Sequence, residues 1–322
     1  MLTNGVGQVR VKKTLRIGAC NLLLSFLTLQ QSWGNTSASI PAIMNSNAKV
    51  EKLSSGLKFT EGPVWNPSGF LFFSDIPADT IYKWTTNGKL AVFRRPAGNP
   101  NGNTFDRQGR LITAQHNRQL TRTEKNGKIT ILAERYQGKR LNSPNDVVVK
   151  SDSSIYFTDP PYGIQKEQEE LDFYGIYRWK PDGTLTLLNK EMVRPNGIAF
   201  SPDDKKLYVN DSEKLHIRVF DVQADGTLAN SRVFAELPGP TDKGVPDGMK
   251  VDVKGNVYCS GSGGVWIFSP TGQLLGKIAV PETVTNLAWG NKDYKTLYIT
   301  AGNSIYRIRL NIAGVKPGQN NL

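Results

Sequence analysis

Six versions of one unit follow one another along this chain, and that repeat restricts the possible folds more than any other feature. Each version runs through a turn, a short strand, a turn, an apolar strand, a loop, an amphipathic strand, a Gly turn and a last strand. The first is Glu61-Gly62-Pro63-Val64-Trp65, then Phe70 to Asp75, Thr80 to Trp84, Asn87-Gly88 and Leu90 to Phe93. The second runs from Asn101-Gly102 through Arg110 to Gln115, Gln119 to Thr123, Asn126-Gly127 and Ile129 to Ala133. Later units open at Asn145-Asp146, Asn196-Gly197, Asp247-Gly248 and near Asn286, so the starts are 40, 44, 51, 51 and 39 residues apart. A four-stranded propeller blade takes ~40–50 residues. Alternation such as Ile176, Tyr177, Trp179 and Leu185, Leu187 suits half-buried strands. Long helix-period segments are absent, and the charged stretch Gln165 to Leu171 reads as a loop insertion in the third unit. The expected fold is all-β, a six-bladed β-propeller with four-stranded blades. A large β-sandwich or an open solenoid is the alternative.

The sixth unit has Asn286 to Trp289, Thr296 to Thr300 and Ser304 to Leu310, then ends without a fourth strand. Lys49 to Leu53 precedes the first unit and belongs to none. An N-terminal strand that completes the last blade would close the ring and remove an exposed sheet edge. Residues 39–322 then form a single domain.

Residues 1–38 read as a signal peptide and N-terminal linker. A basic stretch, Arg10 to Arg16, precedes an apolar run from Ile17 to Leu29 and a polar segment with small residues. The run is shorter than the ~18 residues of a membrane span. Cys20 precedes the run rather than following it, which argues against lipid anchoring. The expected location is exported, periplasmic or extracellular, with no stable membrane insertion. Loss of the signal would leave Cys259 without a partner and the fold without an intrachain disulfide. The formal charge of +12 is spread through turns without a dense basic run or a nucleic-acid motif. A solvated basic surface is expected, not nucleic-acid binding.

In a propeller the innermost strands begin at the mouth of the central channel. The six equivalent positions read Glu61, Asn101, Asn145, Asn196, Asp247 and Asn286, all oxygen-bearing. Two carboxylates and several amides converging on an axis make a site for a hard divalent cation, with calcium favoured over magnesium. His116 and His216 are the only histidines, and no His/Cys set for zinc or copper exists. Asn-Gly and Asp-Gly are also ordinary turn dipeptides, so each position alone carries little. Asp75, His116, Asp159 and Asp211 stand at the ends of the second strands, on the same face. His116 is the candidate titrating base there, while His216 reads as structural. No nucleophile elbow of Gly-x-Ser-x-Gly type is present, because Gly261-Ser262-Gly263 reads as a turn.

Thr60-Glu61-Gly62-Pro63-Val64-Trp65, Ser143-Pro144-Asn145-Asp146, Arg194-Pro195-Asn196-Gly197-Ile198-Ala199-Phe200 and Pro246-Asp247-Gly248-Met249 resemble the senescence marker protein/gluconolactonase/regucalcin family. The likeness runs from about Val50 to Leu310. Phe105 to Arg110, Arg140 to Asp146 and Asp159-Pro160-Pro161-Tyr162-Gly163 narrow it to the bacterial gluconolactonase-like branch. The resemblance implies a six-bladed propeller with Ca2+ or another divalent cation on its axis. It implies Glu61, Asn196 and Asp247 as ligands, Asn145 as a fourth ligand or a substrate contact, and Asp247 as the base that activates water. Some animal members carry a sugar-binding Arg where Ser143 stands here, so the accepted lactone is left open.

The activity implied is calcium-dependent opening of a sugar lactone such as gluconolactone by metal-polarised attack of water. Asp247, or His116 as a relay, would take the proton. Asn101, Asn145, Asp146, His116 and Tyr162 form the expected substrate contacts, with Tyr162 and the 165–171 insertion over the mouth. A phosphotriester hydrolase on the same site, or a non-catalytic propeller plugged by calcium, is the rival reading.

Overall fold

The computed structural model describes residues 40–239 and 242–317. The expected signal peptide and Cys20 lie outside these residues. Six four-stranded antiparallel sheets stand in a ring, and in five of them the strands follow chain order from the axis outward. Blade one comprises Thr60–Asn66, Phe70–Asp75, Thr80–Thr85 and Leu90–Arg94. Blade four comprises Pro195–Phe200, Lys206–Asp211, His216–Val222 and Leu228–Glu236. In blade six, Val284–Gly290, Thr296–Ala301 and Ser304–Arg309 are completed by Glu51–Ser54, which pairs antiparallel with Ser304–Arg309. The closure expected from the leftover strand is therefore present, shifted a residue or two from Lys49–Leu53.

Burial falls from axis to rim. Thr60–Glu61–Gly62–Pro63–Val64–Trp65 is buried throughout, whereas no residue of the outermost Leu90–Arg94 is. The inner strands are closed in by their neighbours on both sides, so they must be apolar or fully hydrogen-bonded. Between blades the core is aromatic: Trp65 stacks on Tyr298 of blade six with centroids 5.3 Å apart.

One local device aims residues at the axis. Thr60 pairs with Asp75 and Val64 with Phe72, with a register irregularity between them. The same irregularity follows Pro100, Pro195 and Val284. An extra residue on one strand bends it and redirects its side chains. Gly62 makes the bend possible: its φ is +48° and a Cβ there would lie 2.0 Å from the Asn101 carbonyl oxygen.

Asp75, Asp159 and Asp211 prove to be part of this scaffold. The Asp75 carboxylate accepts from the N–H groups of Lys58 (2.9 Å) and Phe59 (3.2 Å), and Asp211 does the same for Val193 and Arg194. Asp159 accepts from Asn142 N–H at 2.8 Å. Each carboxylate ties down the segment entering its blade. The equivalent residue in blade two is Gln115, which pairs with Pro100, so His116 lies one position beyond the strand end.

Candidate active site

A cavity of about 370 Å³ opens at the end of the channel where the inner strands begin. Glu61, Asn101, Asn145, Asn196 and Asp247 line it, together with His116 and Tyr162. Five of the six axial positions expected from the sequence thus come together from five blades. Their backbones are fixed from next door. Ser74, Thr158 and Asn210, each next to last in a second strand, donate to the carbonyls of Asn101, Asn196 and Asp247 in the following blade.

The sixth position is corrected by one residue. Val284 pairs with Ala301 as Thr60 does with Asp75, which makes Thr285 the counterpart of Glu61. Thr285 turns its hydroxyl away, donating to the Thr60 carbonyl at 2.7 Å. Asn286 lies one layer lower and gives its side-chain N–H to Glu61 Oε2 at 3.0 Å. The usable signal was aromatic: Trp289 stands four residues after Thr285 as Trp65 stands four after Glu61.

Asn101 donates to the side-chain oxygen of Asn145, and Asn145 donates to that of Asn196. Asn196 donates to Ser212 Oγ at 3.0 Å and also bonds Asp247. His116 Nε2 lies 2.9 Å from Asn101 Nδ2 and 3.4 Å from Asn145 Oδ1. Burial, opposed by the bond to Asn145, holds this imidazole below its ordinary pKa. Burial and then the nearby Asp146 charge push Glu61 up to about 7. Burial, then Glu61 and Asp146, push Asp247 well above the carboxylate range.

The SMP-30/Gluconolactonase/LRE-like region matches residues 59–303 of this chain. The chain belongs to that family. It is 33% identical over 304 residues to a gluconolactonase of Zymomonas mobilis, covering 85% of each protein. It is 26% identical over 249 residues to pentonolactonase XacC of Haloferax volcanii, covering 74% of this chain and 80% of that one. The solved gluconolactonase of Xanthomonas campestris superposes with a TM-score of 0.79 at 36% identity, over 85% of this chain and 93% of that one.

The donor set fits a hard cation. Among the described residues no three His, Cys, Asp or Glu side chains group to hold a metal, so a site here relies on two carboxylates and amide oxygens, as such cations accept. Glu61 accepts from Gly62 N–H at 2.6 Å and from Asn286, both on Oε2, and its carboxyl also contacts that of Asp247. The Glu61 charge raises the pKa of Asp247, and that repulsion is relieved when a divalent charge sits between the two carboxyls.

Other expected contacts fall elsewhere. Asp146 is buried beneath the ring and does not line the cavity; its carboxylate accepts from Val147 N–H at 2.9 Å. Residues 165–171, which contain a short 3-10 turn at Lys166–Gln168, do not line it either. Ser143 is fully buried, donates to the Pro160 carbonyl and accepts from Gly163 N–H at 2.8 Å. Its role is to fix the loop that carries Tyr162. Sequence reading missed the apolar side of the rim, made by Phe59, Ile76, Pro77 and Val245.

Proposed function

We propose that this protein hydrolyses a lactone, a sugar lactone such as gluconolactone, with a calcium ion held by Glu61, Asn145, Asn196 and Asp247. One observation carries the reading: in a chain of the gluconolactonase family, these four oxygen-bearing residues from four blades line a single cavity. The ion, when bound, supplies Lewis-acid polarisation of the lactone carbonyl. Asp247 takes the proton of the attacking water on its carboxylate. The water oxygen bonds to the carbonyl carbon, the ring C–O bond breaks, and the proton passes to the departing alkoxide, giving a hydroxy acid. His116, kept neutral by burial, provides a second acceptor at Nε2. Asn101 and Asn145 orient the ring oxygens, while Phe59, Ile76 and Val245 cover its C–H surface. We place the protein outside the cytoplasm, on the basic and apolar pattern of residues 10–29.

The test is hydrolysis of gluconolactone and of a phosphotriester after chelation and dialysis, then with calcium returned. Loss and recovery of lactone turnover alone is expected. Full lactone turnover by verified metal-free protein would rule the reading out.

A further inference from the structure

Below the oxygen ring the channel is built in layers. The residues directly after the axial ones are Gly62, Gly102, Asp146, Gly197, Gly248 and Asn286. Four glycines leave the space that the two polar side chains fill: a Cβ on Gly248 would lie 2.1 Å from Asn286 Cγ, and one on Gly102 would lie 2.8 Å from Asp146 Oδ1. Two residues further along each strand, Val64, Thr104, Val148, Ala199 and Ala288 line the channel, and the sixth position is Lys250. Strand alternation explains its direction. Met249 and Val251 on either side are buried in the blade, so Lys250 points the opposite way.

The Lys250 ammonium donates to the Met249 carbonyl at 2.9 Å and to Asn286 Oδ1 at 3.2 Å, and lies 3.9 Å from Asp146 Oδ2. Asn286 Oδ1 also accepts from Leu287 N–H at 2.8 Å. With two donors on its oxygen, the amide must present its N–H to Glu61. Glu61, Asp146 and Asp247 repel one another through their charges, and Lys250 is the cation acting on Glu61. With all three carboxyls ionised, as when they face a bound cation, three carboxylates and one ammonium leave two negative charges uncompensated.

We infer that Lys250 is a built-in counter-cation and positioning residue of the axial site, holding Asp146 and the Asn286–Glu61 contact from below and setting the residual charge to that of one divalent ion. The Lys250 ammonium offsets part of the repulsion among these carboxyls before metal arrives, because a bare trio of ionised carboxyls is self-repelling. It also limits metal affinity by repulsion. The inference rests on the divalent-ion reading above.

The experiment compares wild type, Lys250→Met, Asp146→Asn and the double variant by calorimetric calcium titration and by thermal unfolding in chelator and in calcium. Lys250→Met is expected to unfold earlier in chelator, to recover most of the difference in calcium, and to bind calcium several-fold more tightly. Adding Asp146→Asn is expected to restore stability in chelator and loosen calcium again, which keeps the question answerable if Lys250→Met alone fails to fold. An equal drop in Tm with and without calcium and an unchanged Kd would make Lys250 a packing post and overturn the inference, as would weaker calcium binding. Absence of calcium binding by wild type would instead sink the metal reading itself.

Discussion

Asp247 arrives at the axis half-buried, with the Glu61 carboxylate beside it and Asp146 close enough to raise its pKa further. A carboxylate so placed has two uses, gripping a cation or accepting a proton, and substitution can separate them. Asp247→Asn keeps the shape and the neighbourhood of Asn196 while removing charge and basicity. General-base catalysis contributes about 10²–10⁴-fold, so kcat for lactone hydrolysis is expected to fall at least 100-fold, by that measure, even at saturating calcium. Calorimetry should show weaker calcium binding at the same time. Turnover that returned to within about tenfold of wild type once calcium was raised would confine Asp247 to holding the ion.

At the scale of the element, the blades were legible because each repeats an apolar second strand and a Gly turn at near-constant spacing. Positions that depend on the bulge were not. A dipeptide such as Asn286-Leu287 looks like a unit start, but the irregular pairing places Thr285 there. In sequence His116 reads as a strand end, but Gln115 fills that register and His116 turns into the cavity only because it lies one residue further. Lys250 gave no signal at all, since a Lys between Met and Val in a strand reads as solvent-facing, and only ring closure turns that face inward. Closure itself carries a titratable latch. Glu282 accepts from Lys52 at 2.7 Å in the N-terminal strand, and from Ser304 and Tyr306 in blade six. Partial burial alone would raise this carboxyl, but Lys52, Tyr306 and Ser304 outweigh it and hold it down at about 2. A depressed carboxylate stabilises the fold above its unfolded pKa of about 4.3 and loses that contribution as pH falls toward its folded value. The latch is largely solvated, so ~1 kcal/mol is the scale. Urea unfolding of Glu282→Gln is expected to show this deficit at pH 7 and to converge with wild type near the folded pKa. A deficit independent of pH would mean that the charge of Glu282 contributes nothing to closure.

For the molecule as a whole, the proposed site depends on a seam. Glu61 belongs to blade one and Asn286, its amide donor, to blade six, so the 3.0 Å contact between them crosses the seam where the first and last blades meet. Thr60 crosses the same seam, donating to the Ser304 carbonyl at 2.9 Å. The seam is held by Glu51–Ser54 on the edge of Ser304–Arg309 and, outside it, by Ile43, which is buried in the largest core cluster and whose carbonyl accepts from Asn311 N–H at 2.7 Å. A chain beginning at Ile40 retains all of these contacts and is expected to match the full chain in Tm and in lactone turnover. One beginning at Leu57 loses the strand and the Ile43 anchor and leaves an unpaired edge open to other chains. Losing buried Ile43, the partly buried Met44, Val50 and Leu53 packed on the same cluster and a strand pairing costs at least about 4 kcal/mol, which at about 2–4 °C per kcal/mol lowers Tm by roughly 10 °C or more. Calcium affinity should fall with it, because Glu61 and Asn286 no longer share a fixed frame. If the two shortened chains unfolded at the same temperature and bound calcium alike, ring closure would not be what holds the axial residues together.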